Sequence, residues 1–513
     1  MIDKYGSSKG YGAAGASKTK RSMKGFTAAS GNPHEDIDWN ALTLRQRSRI
    51  LYMSTPIATS AIDTNRTKVV GTGLTLKSQI NREMLGLTQE QAREWQRRAE
   101  AEFKIWAGSA ANCDATGVND FYQIQQLVLK SWLLSGDVFI LVKRFPVTKM
   151  QPYTLRLQVI EADRVSTPDE YGGRWNSTEG VNPDNGNKIY DGAEVDRHGN
   201  VVAWHIRNTY PNQVTSEKTY WERIEVTGKR SGLPQIFHVT ESERPDQYRG
   251  VPYLSKVIEP LLQIRRFTES ELDGALVQSY FTAWVKTTST PTEMPLNEVG
   301  GGEIGDEPAQ TPYESGISAD SNEYELGPGT INIMNPDEDV VFGNPNIPST
   351  SYDVFLKANE RMVGAGLEMP YDVLMKEFDS SYSASRGALL EAWEACRVKR
   401  KNPEVLCQSV YELFLTEAVA RGRITAPGFL DDPLIKSAWC GAKWIGPSQG
   451  SLDPLKEANA AVIHMQNGIK THEEVTREIS GGDWESNVEQ LMQENAILAV
   501  GQTDQEEEND EDE

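Results

Sequence analysis

Two helical runs flank a long irregular stretch in the second half of the chain, and this pattern constrains the fold more than any other feature. The first run, Pro260 to Val285, is about 26 residues, or roughly 39 Å as one helix. Its apolar side chains fall mostly on one side, without the sustained heptads of a coiled coil. The stretch 287–348 is rich in Pro, Gly, Ser and acidic residues around one β-like segment, 330–334. A second helix is predicted from near Ser349 to Gly364.

The chain before this pattern reads as a mixed α/β region. Thr88 is a predicted helix cap with Gln91 at the capping-box position, and the apolar spacing continues to Ala107. Pro252 suits the first turn of a helix, whereas Pro260 is expected to end or kink one. The other predicted elements here are helices at 42–59 and 120–134, and strands at 68–76 (broken at two glycines), 138–143, 155–160 and 201–206.

After the second helix of the pattern, the sequence predicts a serine-rich loop, 379–385, followed by a long helix. We expect this helix to begin at Arg386, to break at Pro403 and to resume as far as Ala420. A final helical region is predicted from 453 to 499. With 513 residues, and about 100–200 residues per domain, the chain should form three or so structural units of α+β type.

The two ends of the chain differ from the rest in composition. Residues 1–31 are rich in Gly, Ser, Ala and Lys, which predicts a flexible basic arm, and residues 504–513 are almost entirely acidic, which predicts disorder. The basic residues near the start have no apolar segment after them, so we do not expect a secretory signal. No stretch approaches the ~18 apolar residues of a membrane span, so we expect no contact with a membrane and synthesis in the cytoplasm.

The formal net charge of −22 restricts how this chain can meet nucleic acid. A conventional DNA-binding protein gains affinity when Lys and Arg neutralise phosphates, so this balance argues against tight binding. It does not argue against passage of DNA, because a channel in which a duplex slides gains from weak or repulsive contact with phosphate.

The sequence contains none of the common catalytic motifs that would indicate an enzymatic mechanism. It lacks a GxxxxGK[ST] phosphate loop, an HExxH helix and a GxSxG elbow. The four cysteines form no CxxC pair, and His464 and His472 are eight residues apart, too far on a helix to share a metal ion. We therefore predict no catalytic residue, no metal and no cofactor.

Several segments, in their order and spacing over about residues 40–480, resemble the lambda family of tailed-phage portal proteins. The most specific is the motif R-P-x-Q-x-R-G-V-P, which here runs from Arg244 to Pro252. The family usually has Glu after the glycine found here at position 136, so Asp137 is a mild departure. The other segments that carry the resemblance are 44–62, 69–73, 106–117, 136–139, 160–164, His238, 381–386, 439–447 and 453–457.

This resemblance implies an α+β, multi-domain portal fold that assembles as a ring, usually of twelve subunits, at one vertex of the capsid. Two stem helices would line or buttress a channel, and a clip would protrude outside the capsid. The implied parts are a flexible basic arm (1–31), the α+β wing (32–251), stem helix 1 (252–286), the clip (287–348), stem helix 2 (349–368), the tunnel loop (369–385), a long helix with the wing return (386–450), the helical crown (451–500) and a disordered acidic tail (501–513).

Within the implied tunnel loop, Lys376 is the only basic residue between Arg361 and Arg386. One lysine per subunit would form a ring of positive charge near phosphate; the alternatives are a solvated lysine, or a salt bridge to Glu377 or Asp379. The serine-rich segment of the loop would either contact DNA or serve as a hinge. The loop residues assigned to the channel are Lys376, Ser380, Ser381, Tyr382 and Ser383.

Two further sets of residues have implied roles. Three acids on stem helix 1 would either face the lumen or form salt bridges with Arg265 or Arg266 of a neighbouring subunit. A second set would hold the junction between wing and stem, which is a structural role. The stem acids are Glu269, Glu271 and Asp273, and the junction residues are His238, Arg249, Gly250 and Pro252.

The function implied by the resemblance is a ring-shaped conduit for double-stranded DNA in the virion, bound without sequence specificity. The implied partners are further copies of the chain, the terminase large subunit, the major capsid and scaffold proteins, and a head-completion or adaptor protein. Two alternatives stay open from the sequence: another head–tail connector component, and a metal-dependent hydrolase without a recognisable motif. Connectors of that kind are typically much shorter, and the absence of clustered metal ligands disfavours the hydrolase.

Overall fold

The computed structural model describes residues 21–27, 31–172, 178–214, 216, 218–279, 283–287, 338–342, 352–379, 381–449, 454–485 and 487–496. The chain divides into two compact units, one formed by Met1–Ser255 with Phe378–Glu513 and the other by Lys256–Glu377. In the described part, no helix combines the length and the apolar character needed to cross a membrane. The predicted β-like segment 330–334, the caps predicted near Ser349, most of the arm and the acidic tail lie outside the described residues.

The first part of the larger unit combines helices with antiparallel strands. Its elements are α1 (Pro33–Ser54), α2 (Pro56–Val69), β1 (Thr75–Ser78), α3 (Arg82–Leu85), α4 (Gln89–Ala107), α5 (Ala110–Cys113), α6 (Phe121–Ser135), β2 (Asp137–Arg144), β3 (Leu155–Glu161), β4 (Glu179–Val181), β5 (Lys188–Tyr190), β6 (Ala193–Val195), β7 (Val201–Arg207), β8 (Trp221–Glu225) and β9 (Ile236–Thr240).

The start of α4 confirms the predicted capping box. The Thr88 side chain accepts a hydrogen bond from the Gln91 amide, and the Gln91 side chain accepts one from the Thr88 amide, so two of the unpaired amide groups of the first turn gain partners. The predicted ranges of α6, β2, β3 and β7 agree with the structure to within two residues.

Two predictions before residue 80 were wrong. The single helix expected over 42–59 is two helices, α1 and α2, which meet at Thr55 and Pro56. Pro56 begins α2 because the first turn of a helix does not need its amide hydrogen. The strand expected over 68–76 begins only at Thr75, since Lys68 and Val69 still belong to α2 and a turn with Gly71 and Gly73 at positive φ follows.

Two sheets pack around one apolar core in this unit. Three strands form the order β3-β2-β9, and five form the order β4-β5-β6-β7-β8, all antiparallel. Side chains from both sheets form the core between them, and each is at most 5% exposed: Phe139, Leu141, Ile160, Val165, Ala193, Val195, Trp204, Ile206 and Ile236.

The smaller unit holds the two helices of the predicted pattern. A short 3-10 helix, Tyr253–Val257, leads into α7 (Ile258–Ser279), and the later elements are β10 (Ala283–Thr287), β11 (Glu338–Phe342), α8 (Tyr352–Gly366) and α9 (Tyr371–Met375). The ring of Phe267 on α7 stacks on Tyr352 at 5.5 Å and lies 4.6 Å from the Phe355 ring, so the two helices pack through aromatic contacts.

The helix predicted over Pro260 to Val285 differs from its prediction at both ends. Pro260 does not interrupt it but occupies the first turn of α7, where amides have no intrahelical partner. At the other end, residues 283–287 form a strand that pairs antiparallel with β11, in the register Ala283 to Phe342. Val285 therefore belongs to a strand, as its β-branched side chain favours. The helix predicted from near Ser349 to Gly364 is α8, which ends at Gly366, two residues beyond the predicted end.

The remaining elements return to the larger unit. They are α10 (Tyr382–Ala420), α11 (Pro433–Trp439), β12 (Ala442–Ile445), α12 (Pro454–Gln466) and α13 (His472–Ser480), with a further helical stretch at 487–496. The strand β12 pairs with β1. At the centre, the Phe103 ring of α4 lies 5.2 Å from Phe414 and 5.8 Å from Trp444, so early and late segments share one aromatic core.

The long helix was predicted to begin at Arg386 and to break at Pro403, and both predictions were wrong. It begins at Tyr382 and continues through Pro403 for 39 residues. An interior proline costs a helix about 3 kcal/mol. Pro403 itself is buried, and the following turns bury Leu406, Val410 and Phe414, whose burial contributes about 1.5–3 kcal/mol each and outweighs that cost.

Candidate functional site

The second arginine of the R-P-x-Q-x-R-G-V-P motif, Arg249, is completely buried. The Arg249 guanidinium pairs with Asp137 at the start of β2, with 2.6 Å between Nε and Oδ2. It also donates to the Val165 and Ala162 carbonyls, each at 2.9 Å, and pairs with the Asp191 carboxylate at 2.7 Å. One side chain thus joins four segments that are distant in sequence.

Asp137 is the acceptor around which this junction is built. The Gly250 amide donates to its Oδ2 at 3.2 Å, and Arg45 of α1 approaches its Oδ1 at 3.7 Å. Burial disfavours ionisation of Asp137, but Arg249, Arg45 and His238 outweigh burial and hold its pKa well below the usual range. The same two carboxylates, Asp137 and Asp191, raise the pKa of Arg249 against the effect of its burial.

His238 lies on the strand next to Asp137. Its ring stacks on Phe139, with 4.6 Å between the centroids, and its Nε2 is 3.5 Å from Asp137 Oδ2. Burial lowers the pKa of His238, although Asp137 acts in the opposite direction. The imidazole is therefore a packed, neutral part of the junction.

Gly250 and Pro252 complete the junction through backbone geometry. A Cβ at position 250 would lie 1.9 Å from the Gly136 carbonyl oxygen, so no larger residue fits there. Gly136 itself ends α6 at φ +85, a conformation that favours glycine. Pro252 is buried, and its carbonyl accepts from the Ser255 amide at 2.9 Å, which starts the 3-10 helix before α7.

The earlier residues of the motif shape the turn that delivers Arg249. The Gln247 side chain accepts from the amides of Glu243 and Arg244, at 2.8 and 3.0 Å, and donates to the Arg249 carbonyl at 2.8 Å. Arg244 pairs with Asp36 in the first turn of α1. The Gln247 side chain therefore stabilises the turn in which it lies.

Sequence reasoning missed two arginines of α1 that pair with carboxylates in and beside this junction. Arg45 and Arg49 lie one turn apart on α1, and Arg49 pairs with Asp163 and donates to Ser135 Oγ at 3.0 Å. Arg45 lies 3.5 Å from Asp191 Oδ2 and is only 2% exposed. One sequence signal could have indicated Arg45: its helical spacing from Ala41 and Ser48 places it on the same, buried side of α1.

The three stem acids do not share one face of α7. At 100° per residue, Glu269 and Asp273 lie about 40° apart, whereas Glu271 lies about 160° from both. Glu269 and Asp273 are exposed, and Glu271 is half-buried. Arg265 pairs with Glu269 of the same helix at 2.8 Å, and the intersubunit bridge considered from the sequence stays a prediction.

Lys376 ends α9 in the left-handed conformation, with φ +59, and its side chain is exposed. The neighbouring Glu377 carboxylate accepts from the Tyr371 hydroxyl at 2.7 Å and lies 3.4 Å from Lys357 Nζ. The loop is shorter than predicted: Ser381 is the N-cap residue of α10, and Tyr382 and Ser383 belong to its first turn. Ser380 lies outside the described residues.

All four cysteines are buried, and burial raises the pKa of Cys113 and of Cys440 to about 12, which leaves unreactive thiols. Over the described ranges, no group of three or more His, Cys, Asp or Glu side chains is arranged to hold a metal ion.

Comparison with solved structures gives alignments of low sequence identity. A chain in the neck of a native gene transfer agent particle, computed with C12 symmetry, aligns over 86% of this chain and 94% of its own length, with 12% identity and a TM-score of 0.40. An HK97-family phage portal protein from Corynebacterium diphtheriae aligns over 66% of this chain and 81% of its own length, with 10% identity and a TM-score of 0.29.

Sequence comparison gives the family. The chain is 22% identical to portal protein B of Escherichia phage lambda over 427 residues, which cover 81% of this chain and 76% of that protein. It is also 22% identical to the portal protein of Escherichia phage N15 over 426 residues, 81% of this chain and 77% of that protein. The sequence model described as phage portal protein, lambda family, matches residues 19–400, from the end of the basic arm into α10. The chain therefore belongs to the lambda family of phage portal proteins.

Proposed function

We propose that this chain forms, in twelve copies, the ring at the portal vertex through which double-stranded DNA is packaged and later ejected. The observation that carries the proposal is the family match over residues 19–400, which includes the buried Arg249 junction, both stem helices and the segment around Lys376. Portal proteins are components of the phage capsid, and the conduit for DNA is the role of this family.

The net negative charge of the chain favours passage of DNA over tight binding of DNA. A net charge of −22 gives the chain no general attraction for phosphate. Glu269 and Asp273 form an exposed acidic edge on α7, one turn apart. If this edge faces the lumen, it lowers the affinity of the stem for DNA and keeps the duplex free to slide.

Lys376 is the residue we assign to the closest contact with DNA. It is exposed, and Glu377, the nearest acid in sequence, is engaged by Tyr371 and Lys357. Its left-handed backbone at the end of α9 fixes where the lysine leaves the helix. Twelve such charges in a ring would attract phosphates at one height of the channel, without reading sequence. Ser380, Ser381, Tyr382 and Ser383 are proposed as neutral neighbours of this contact.

The role we infer is structural. The chain aligns the duplex, and the terminase large subunit supplies ATP hydrolysis at the clip. A head-completion or adaptor protein binds there after packaging, and the major capsid and scaffold proteins surround the wing during assembly in the host cytoplasm. The charged side chains at the centre of the Arg249 junction pair with one another, which supports a structural role for the junction.

Native mass spectrometry combined with negative-stain imaging tests the proposal. The expected result is a closed ring with a central channel wide enough for a duplex. If only monomers and dimers are found at high protein concentration, the portal role proposed for this chain is wrong. Metal-dependent cleavage of DNA by the purified chain, abolished by a chelator, would instead support a hydrolase.

A further inference from the structure

The backbone of Lys376 is held in a rare conformation from both sides. Its φ is +59, in the left-handed region that few residues other than glycine, asparagine and aspartate adopt. Before it, Val373 and Leu374 are buried, with 3% and 0% exposure, so packing fixes the end of α9. After it, Glu377 is fixed by contacts of its own side chain. A backbone outlier that its surroundings over-determine in this way is a reason to look for a function.

The Glu377 clamp consists of Glu377 and the two side chains that hold it, Tyr371 and Lys357. The Tyr371 hydroxyl donates to Glu377 Oε2 at 2.7 Å, and Lys357 Nζ lies 3.4 Å from Oε1. Lys357 Nζ is also 3.6 Å from Asp353 Oδ2, and the charges of Asp353 and Glu377 raise the pKa of Lys357. Tyr371 begins α9 and Lys357 belongs to α8, so the clamp ties the residue after Lys376 to two helices.

The surroundings of Tyr371 keep its hydroxyl able to donate. Glu360 of α8 is only 4% exposed, and burial, followed by the charge of Glu377, raises its pKa. Burial, the hydrogen bond to Glu377 and the charge of Glu360 together raise the pKa of Tyr371, so the phenol stays protonated. Arg361 lies over the tyrosine ring, with 5.6 Å from its guanidinium carbon to the ring centre. Tyr371→Phe therefore removes the hydroxyl bond but keeps this contact of the ring.

The arrangement of the clamp favours a positioning role over a purely stabilising one. Lys357 and Glu377 are partly exposed, and ion pairs of this kind contribute little to the stability of a fold. Their placement, by contrast, is specific, because the contacts converge on the residue adjacent to an exposed lysine. What the clamp determines is the direction in which the Lys376 side chain leaves the backbone.

We propose that Tyr371 and Lys357 are positioning residues, which act through Glu377 to hold Lys376 in its left-handed conformation and so set the height at which its ammonium meets DNA phosphates. The inference rests on the contact with DNA proposed above for Lys376. When Glu377 is released, Lys376 relaxes toward negative φ, which most residues prefer, and its side chain takes a new direction. The charges of a ring then no longer lie at one height, although every copy keeps its lysine.

A nitroxide label at position 376 tests the clamp without DNA. Lys376→Cys provides the attachment site in the full-length chain, and the four native cysteines are buried and should stay unlabelled. Electron paramagnetic resonance should show an ordered label. Tyr371→Phe or Lys357→Met, added to this variant, should raise the mobile fraction about tenfold, as expected for the loss of a hydrogen bond to a charged group.

Tyr352→Phe is the matched control for the tyrosine. It removes a hydroxyl from the start of α8 but keeps the ring that stacks on Phe267. Lys357→Arg is the conservative variant for the lysine, because it keeps the positive charge. Both should leave the label ordered. Equal label mobility in Tyr371→Phe, Lys357→Met and Tyr352→Phe would show that the clamp does not hold position 376, and the proposal would be wrong.

The fraction of heads that retain DNA tests the consequence for a chain with its native lysine. Tyr371→Phe should lower this fraction toward that of Lys376→Asn, although the lysine is still present. In the Lys376→Asn background, Tyr371→Phe should have no further effect. An equal loss in both backgrounds would show that Tyr371 acts independently of Lys376, which overturns the proposal. If Lys376→Asn retains DNA normally while the label loosens, the DNA contact is wrong and only the clamp is confirmed.

Discussion

Arg249 and Asp137 form an ion pair in which both side chains are fully buried, with 2.6 Å between Nε and Oδ2. The pair joins the motif that most resembles other portal proteins to the first residue of the central strand β2. Its environment contains carbonyl acceptors and a second carboxylate, so neither charge is left without partners.

Removal of this arginine should unfold the larger unit at lower denaturant. Arg249→Met leaves Asp137 buried beside only Arg45 and His238, and we expect a loss of about 3–5 kcal/mol in the free energy of unfolding. The urea midpoint of the isolated protein measures it. Arg244→Met, which removes a partly exposed pair with Asp36, should cost less than about 1 kcal/mol. Similar losses for the two variants would contradict the assignment of Arg249 as the centre of the junction.

Gly250→Ala should be among the most damaging small substitutions in the chain. The added Cβ would meet the Gly136 carbonyl oxygen at 1.9 Å, so β2 and the motif must separate, at a cost of about 1–3 kcal/mol or more. Soluble yield and thermal unfolding report the effect. Gly387→Ala is the control, because its Cβ meets nothing within 4 Å on helix α10, and it should be neutral or stabilising by up to about 1 kcal/mol.

His238 should make the larger unit sensitive to mild acid. The pKa of His238 is lowered in the folded protein, chiefly by burial, whereas an unfolded histidine titrates near 6.5. Below about pH 6.5 the unfolded state therefore binds more protons, and stability falls as pH falls, by at most about 1.4 kcal/mol per pH unit. Asp137 stays ionised over this window because its own pKa is held low.

Urea midpoints at about pH 7.5 and about pH 5.5 check this dependence. The difference between the two midpoints should shrink in His238→Gln and persist in His198→Gln, whose side chain is exposed. An unchanged difference in His238→Gln would show that other groups cause the acid sensitivity.

Lys376 should affect DNA and not assembly. Lys376→Ala, and more cleanly Lys376→Asn, removes the charge; asparagine also tolerates the left-handed backbone at φ +59. Rings should still form on negative-stain grids, while the yield of DNA-filled heads or their retention of DNA falls. Lys376→Arg keeps the charge and should behave as the wild type. Failure of Lys376→Asn to assemble would show that this residue lies at a subunit contact.

The exposed acids of α7 should speed the passage of DNA. Glu269→Gln with Asp273→Asn should change stability by less than about 0.5 kcal/mol, because both side chains are exposed. Packaging and ejection should slow, since the lumen would repel phosphate less. Glu271→Gln, on the half-buried side of the helix, should leave these rates unchanged. The reverse order of effects would place the other face of α7 toward the lumen.

The sequence predicted local elements well where one signal dominated. The Thr88 capping box, the glycine end of α6 and the apolar run of β2 gave correct elements, because short-range hydrogen bonds and burial act in the same direction there. Val285 was misplaced because its strand depends on hydrogen bonds from residues 338–342, more than fifty positions away, which no local pattern encodes. Pro403 was misjudged because tertiary burial outweighs its local cost.

For the candidate site too, the sequence predicted local features but not contacts between distant segments. The resemblance assigned a structural role to His238, Arg249, Gly250 and Pro252, and the structure gives the contacts of these residues. It could not supply Asp191 as a partner of Arg249, or Arg45 as a second cation beside Asp191, because pairing between distant segments exists only in three dimensions. Tyr382 and Ser383 were predicted to lie in a loop, since serine favours turns, but they form the first turn of α10.

The pairing of β1 with β12 sets a condition on biosynthesis. Thr75 Oγ1 donates to the Ile445 carbonyl across a sequence separation of 370 residues. At about 5–20 residues per second, the ribosome needs roughly 20 to 70 s to deliver the second strand after the first. During this interval the edge of β1 lacks its partner, and the nascent chain is exposed to wrong pairing with other nascent chains. Completion of the larger unit is therefore a late event, and subunits can enter a ring only after translation has passed residue 445.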